Sequence, residues 1–133
     1  MLQPQMNKYL ETAVQSASPA QLLIMLCDGA IRFCKQFILA LKTNNYEEAN
    51  RNVIKVQDIV KEFVITLDKN SPIAEHLLLM YDYIEFRLIE ANTHKSTESA
   101  EEALSYLVEL KNTWVEANKL IAASKTPAGL KHG

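Results

Sequence analysis

Residues 17–41 carry more apolar surface than one packing face of a helix requires, and this excess limits what the chain can fold into. At about 100° per residue, they form two apolar stripes whose centres lie about 120° apart. The first stripe is Leu22, Leu26, Ala30, Phe33 and Phe37, and the second is Ile24, Cys27, Ile31, Cys34 and Ile38. A surface helix usually has a single stripe about 100° wide. Something must therefore cover the second stripe.

Three further segments repeat apolar residues at helical spacing, with polar breaks at residues 43–45, 68–72 and 93–96. In the second and fourth segments the steps alternate between three and four residues, which is typical of a heptad seam. Ser71 and Pro72 predict the N-cap and first position of the third helix. The predicted core positions are Ala49, Val53, Val56, Val60, Phe63 and Leu67, then Ile73, Leu77, Met80, Ile84, Leu88 and Ala91, then Ala100, Ala103, Leu107, Leu110, Trp114, Ala117 and Ile121.

Four helices of about 23 residues, each about 35 Å long, joined by short connections, favour antiparallel neighbours. We therefore predict an all-α fold: an antiparallel up-down-up-down four-helix bundle with a short N-terminal helix or cap. The expected organisation is one domain over residues 1–133, with a cap segment at 1–17, the bundle at 18–123 and a flexible tail at 124–133.

Composition and charge exclude several classes of partner. The net charge of −2 is spread along the 133 residues, so there is no basic field for nucleic acid. No apolar run approaches the ~20 residues of a membrane helix, and the N-terminus lacks the pattern of a secretory signal. We therefore expect a cytoplasmic protein without membrane insertion. Cys27 and Cys34 lie about 10 Å apart along one helix, too far for a disulfide with each other, and are expected to be free buried thiols.

The motifs of catalytic and metal-binding bundles are missing from the sequence. Di-iron bundles need Glu-x-x-His pairs, but the residues three before the histidines are Ile73, Ala91 and Gly129. Gly29 stands alone inside the first helix, which indicates close approach of a neighbouring helix rather than a phosphate loop. We predict no catalytic residue, metal or cofactor, with an undetected enzyme as a remaining alternative.

The third helix also has a second apolar stripe, formed by Leu79, Tyr83 and Phe86. Together with the first helix, it indicates grooves in which an amphipathic partner helix docks. Tyr81 and Tyr83 add the amphipathic contact area that interfaces favour. Two other interpretations stay open: the chain covers this surface itself, or the protein forms a homodimer.

An ordered set of residues between positions 6 and 118 resembles the flagellar secretion chaperone FliS family. No single motif decides the resemblance, but the set covers nearly the whole chain. It consists of Tyr9, Thr12, Val14, Ala17-Ser18-Pro19, Gln21-Leu22, Met25-Leu26, Asp28-Gly29-Ala30, Gln57, Ile59, Leu67-Asp68, Ala74, Leu77, Tyr81-Asp82-Tyr83, Leu88, Glu90-Ala91-Asn92 and Trp114.

The resemblance implies a helical bundle without catalytic site or cofactor that binds the disordered C-terminal segment of flagellin in the bacterial cytosol. It also implies that the protein prevents premature polymerisation and assists delivery to the flagellar type III export apparatus. On this basis Met6 and Tyr9 would form a displaceable cap. The groove contacts would be Ile24, Ile31, Leu79, Tyr83 and Phe86, with Gln57 and Tyr81 as polar or amphipathic anchors.

Overall fold

The computed structural model describes residues 19–125, with side chains through residue 120. Four helices make up this part of the chain: α1 (Pro19–Lys42), α2 (Tyr46–Thr66), α3 (Ala74–His94) and α4 (Thr97–Lys125). The all-α prediction is confirmed. The predicted N-terminal cap at residues 1–17 lies outside the described residues, as does the tail beyond the end of α4.

Tight turns connect α1 to α2 and α3 to α4. Asn44 has a positive φ of 57°, and the side chain of Asn45 caps α2 by accepting a hydrogen bond from the backbone N–H of Glu48 at 3.3 Å. Lys95 adopts the left-handed conformation after α3, and the Ser96 N–H closes that turn on the Ala91 carbonyl. Because these connections are so short, consecutive helices must run antiparallel.

Contacts between helices show the same arrangement. Asp28 pairs with Lys111 across α1 and α4, and Lys42 at the end of α1 pairs with Glu101 near the start of α4. The main contacts join α1 to α2, α2 to α3, α3 to α4 and α4 to α1. The four helices therefore form a ring, in which α1 and α3 lie diagonally opposite each other.

The core is filled by one seam from each helix. The predicted seams of α2 and α4 are confirmed from Ala49 to Phe63 and from Ala100 to Leu110, with Leu67 and Trp114 partly buried at one end. Both seams were readable from the sequence because their apolar residues recur at alternating steps of three and four.

The buried face of α1 does not follow either of the two stripes alone. Its buried line runs through Cys27, Ala30, Cys34, Phe37 and Leu41, which takes residues from both stripes and passes midway between them. A methyl group at Gly29 would lie 3.4 Å from Ile59 on α2, while the Cys34 thiol faces the Ala100 carbonyl on α4. The two stripes are the flanks of one wide face, because α1 packs against two helices.

Two details of α3 also differ from the prediction. The helix begins at Ala74, because Ser71 takes part in a tight turn in which its hydroxyl accepts the Ile73 N–H at 3.3 Å. Tyr81 is buried in the core seam, whereas Ile73 is exposed and Met80 only partly buried. The seam therefore runs Leu77, Tyr81, Ile84, Leu88 and Ala91.

Candidate partner-binding surface

An apolar patch lies on the outer face of α3 and extends to α4. We call it the α3–α4 patch; it consists of Leu79, Tyr83 and Phe86 on α3 and Tyr106 on α4. Leu79 is 65% exposed, Phe86 56% and Tyr83 39%. The Tyr83 ring meets Tyr106 edge-on at 5.3 Å between centroids and lies 6.3 Å from the Phe86 ring. The structure thus brings together three of the predicted groove residues in one solvent-facing surface.

A polar cluster beside the patch fixes its geometry. The Tyr83 hydroxyl donates a hydrogen bond to Glu102 Oε1 at 2.6 Å, and the same oxygen lies 2.6 Å from Arg87 Nε. Arg87 also pairs with Glu90, which accepts a hydrogen bond from the Ser99 hydroxyl at 3.2 Å. The hydrogen bond to Glu102 raises the pKa of Tyr83. The patch is therefore held in place by charges that join α3 to α4.

The other predicted contacts on α1 lie on a different face. Ile24 and Ile31 are half-buried, and Ile31 packs against the core. Both are one turn from Asp28, which pairs with Lys111 on α4 at 2.7 Å. They therefore flank the junction of α1 and α4, and the structure does not join them to the α3–α4 patch. A single partner that contacts both surfaces has to pass around α4.

Gln57 and Tyr81 belong to the opposite side of the bundle, where α2 meets α3. Gln57 is half-buried, one turn before Lys61. Tyr81 is only 1% exposed and stacks on Phe63 with ring centroids 5.4 Å apart. Burial raises its pKa to about 12. Tyr81 thus forms part of the core and the floor of neighbouring cavities, while Met6 and Tyr9 lie outside the described residues.

Two cavities border Tyr81, and sequence reasoning identified neither. The first, the α2–α3 groove, has a volume of about 300 Å³ and is lined by Val60, Lys61, Val64, Ile65, Tyr81, Asp82 and Glu85. The second, the end cavity, has a volume of about 240 Å³ and lies among Pro19, Leu23, Leu67, Leu77 and Trp114. The only sequence signal for the groove is a pair of apolar residues off the α2 seam, Ile54 and Ile65, which are eleven positions apart and therefore on one face.

Between residues 19 and 125, no three His, Cys, Asp or Glu side chains cluster closely enough to hold a metal ion. Burial raises the pKa of both the Cys27 and Cys34 thiols to about 12, so they are protonated at neutral pH and poor nucleophiles. None of the helices in this part of the chain is long and apolar enough to cross a membrane.

Comparisons with known proteins agree with the sequence resemblance. The family model described as "Flagellar protein FliS" matches residues 1–120. The flagellar secretion chaperone FliS of Bacillus subtilis is 31% identical over 109 residues, which cover 82% of each chain. The FliS of Salmonella typhimurium is 32% identical over 108 residues, which cover 79% of this chain and 80% of the relative. The FliS of Escherichia coli is 28% identical over 111 residues, which cover 81% of this chain and 82% of the relative. The chain therefore belongs to the FliS family of flagellar proteins.

Proposed function

We propose that the protein is a cytoplasmic export chaperone that binds the disordered C-terminal segment of flagellin. By covering that segment it prevents premature polymerisation, and it assists delivery to the flagellar type III export apparatus. It acts by binding rather than by catalysis. Family membership supports this proposal, since the relatives compared above are all named flagellar secretion chaperones.

The observation that carries the proposal furthest is the exposed α3–α4 patch. A segment that folds only on binding loses conformational entropy at that moment, so it needs a large apolar surface in compensation. Leu79, Tyr83 and Phe86 provide such a surface in a fixed arrangement, because Glu102 and Arg87 hold Tyr83 in place. Aromatic residues held in this way are typical anchors of protein interfaces.

A wrapped arrangement of the partner fits the positions of the other predicted residues. Ile24 and Ile31 flank α4 on its α1 side, while the α3–α4 patch lies on its α3 side. In this proposal flagellin contacts both sides by passing around α4. Gln57 is a polar contact near the α2–α3 groove, and Tyr81 supports the groove from the core.

The proposed cap contains Met6 and Tyr9, and Pro19, the first residue that the structure describes, lines the end cavity. If the cap competes with flagellin, replacing Tyr9 by alanine should tighten flagellin binding. An unchanged or weaker affinity of this variant would remove the cap from the proposal.

The decisive experiment is isothermal titration calorimetry of the full chain with a peptide of the C-terminal flagellin segment. Binding at micromolar concentration or below is expected, and its absence refutes the function. Leu79→Ala should weaken binding, whereas Leu39→Ala should not, because Leu39 is similarly exposed but lies eight residues beyond Ile31, beside the start of α2 and away from both proposed contact surfaces. Light scattering tests the homodimer alternative: a constant doubled mass that Leu79→Ala abolishes would assign the patch to self-association.

A further inference from the structure

The α2–α3 groove combines an apolar floor with charged walls. Val60, Val64 and Tyr81 line it together with Lys61, Asp82 and Glu85. Isoleucines continue the apolar surface along both helices: Ile54 and Ile65 on α2 and Ile89 on α3 are all exposed, Ile65 by 71%. From Ile54 to Ile65 the surface extends about 16 Å, which is about three turns of a docked helix.

Glu85 is the unusual member of this groove. Its Oε1 atom is buried and accepts no hydrogen bond from any residue that the structure describes. Lys61 lines the same groove, but no ion pair in the described chain joins it to Glu85 or to Asp82. A buried carboxylate oxygen without a donor is unfavourable, so its presence requires a reason.

Half-buried carboxylates on the other side of α3 have partners. Glu90 pairs with Arg87 and accepts the Ser99 hydroxyl, and Glu102 accepts the Tyr83 hydroxyl and pairs with Arg87. Glu85 therefore differs from its neighbours in having a buried acceptor without a donor, at the wall of an open cavity. With Asp82 one turn away, the groove has one more negative than positive side chain among its lining residues.

We propose that Glu85 is a specificity-determining anchor that receives a lysine or arginine side chain from a helical part of the bound flagellin segment. The apolar face of that helix lies on Ile54, Ile65 and Ile89, and its basic residue reaches Glu85. The groove selects a cation because a carboxylate oxygen accepts but cannot donate, and because Asp82 adds a second negative charge. This inference rests on the proposed function, since flagellin is taken as the occupant.

The test is calorimetry of the full chain with the C-terminal flagellin peptide. Glu85→Gln removes the charge and should weaken binding about 10-fold, because hydrogen bonds to charged groups contribute more than 1 kcal/mol. Glu62→Gln is the matched control on α2: Glu62 is exposed, its side chain lies outside the groove lining, and its replacement should leave the affinity unchanged. Alanine replacement of each lysine and arginine in the peptide should identify one residue whose effect disappears in the Glu85→Gln background.

A second variant separates an anchor from a structural residue. Glu85→Met removes the unpaired oxygen, so it should raise the melting temperature of the free protein while weakening peptide binding. If Glu85 were needed only for the fold, this replacement would lower both the melting temperature and the affinity for the peptide.

Several outcomes would overturn the inference. If wild type and Glu85→Gln bind the peptide equally, Glu85 is not an anchor, although the proposed function stands. If Glu85→Gln binds the peptide more tightly than the wild type does, Glu85 holds another part of this chain in the groove, and that part competes with flagellin. If the protein has a doubled mass that Glu85→Gln halves, a second copy is the occupant. If the wild type does not bind the peptide at all, the function and the inference are both refuted.

Discussion

Replacing Phe86 by alanine should weaken flagellin binding while leaving the fold intact. Phe86 lies at one end of the α3–α4 patch, 56% exposed, with Tyr83 as its aromatic neighbour. A phenylalanine side chain offers about 200 Å² of surface, so about 110 Å² remains for a partner to bury. At about 25 cal/mol per Å², complete burial of that area contributes nearly 3 kcal/mol.

The measured loss should be smaller than this upper bound. Alanine retains the Cβ atom, and binding interfaces rarely convert their full area into affinity. We therefore expect a loss of about 1–2 kcal/mol, which is about a 5- to 30-fold increase in Kd for the flagellin peptide by calorimetry. The free energy of unfolding, from urea denaturation, should fall by about 1 kcal/mol or less, because more than half of the Phe86 surface is already exposed in the free protein.

Phe63→Ala provides the contrasting variant. Phe63 is almost completely buried and stacks on Tyr81, so its replacement should lower the free energy of unfolding by about 3–5 kcal/mol. The reasoning is refuted if Phe86→Ala destabilises the protein as much as Phe63→Ala does. It is refuted equally if Phe86→Ala keeps the wild-type affinity for flagellin.

Three further predictions concern the core. Gly29→Ala should stabilise the protein by up to about 1 kcal/mol and raise Tm by about 4 °C. The reason is that alanine favours the helix and that the new methyl group meets only the end of the Ile59 side chain, at 3.4 Å. A lower Tm in thermal circular dichroism would mean that the Ile59 side chain cannot move aside. Burial raises the pKa of Tyr81 to about 12 in the folded protein, so the phenol ionises more readily in the unfolded chain. The stabilisation from the buried, protonated phenol is therefore complete below pH 10 and is lost as the pH rises towards 12. Urea denaturation across this range should show a smaller decline for Tyr81→Phe than for wild type, and an identical decline would contradict the assignment. Cys27 and Cys34 should not react with a thiol reagent at neutral pH until the protein is unfolded, because burial raises both pKa values to about 12; rapid labelling of the native protein would contradict their burial.

Much of the fold could be predicted from local patterns. The seams of α2 and α4 were visible because a helix that buries one face repeats apolar residues every three or four positions. The exposed row of Leu79, Tyr83 and Phe86 was visible by the same rule, since it falls outside the core seam of α3.

Tyr81 shows where local pattern reasoning fails. Its hydroxyl suggested an interface residue, and Met80 was assigned to the seam, because positions 80 and 81 lie about 100° apart, on either side of the centre of the buried face. Packing decided between them: the Phe63 ring on α2 stacks on Tyr81, and Met80 remains at the edge of the core.

The sequence by itself determined that this chain forms four amphipathic helices with short connections and has apolar surface beyond the needs of one core. Only the tertiary structure decided how that surface is used. It showed that the two stripes of α1 flank a single face between α2 and α4, and that Glu85 borders a groove with α2. The physical reason is that periodicity fixes which side chains share a helix face, whereas grooves and unpaired buried atoms depend on the relative positions of two helices.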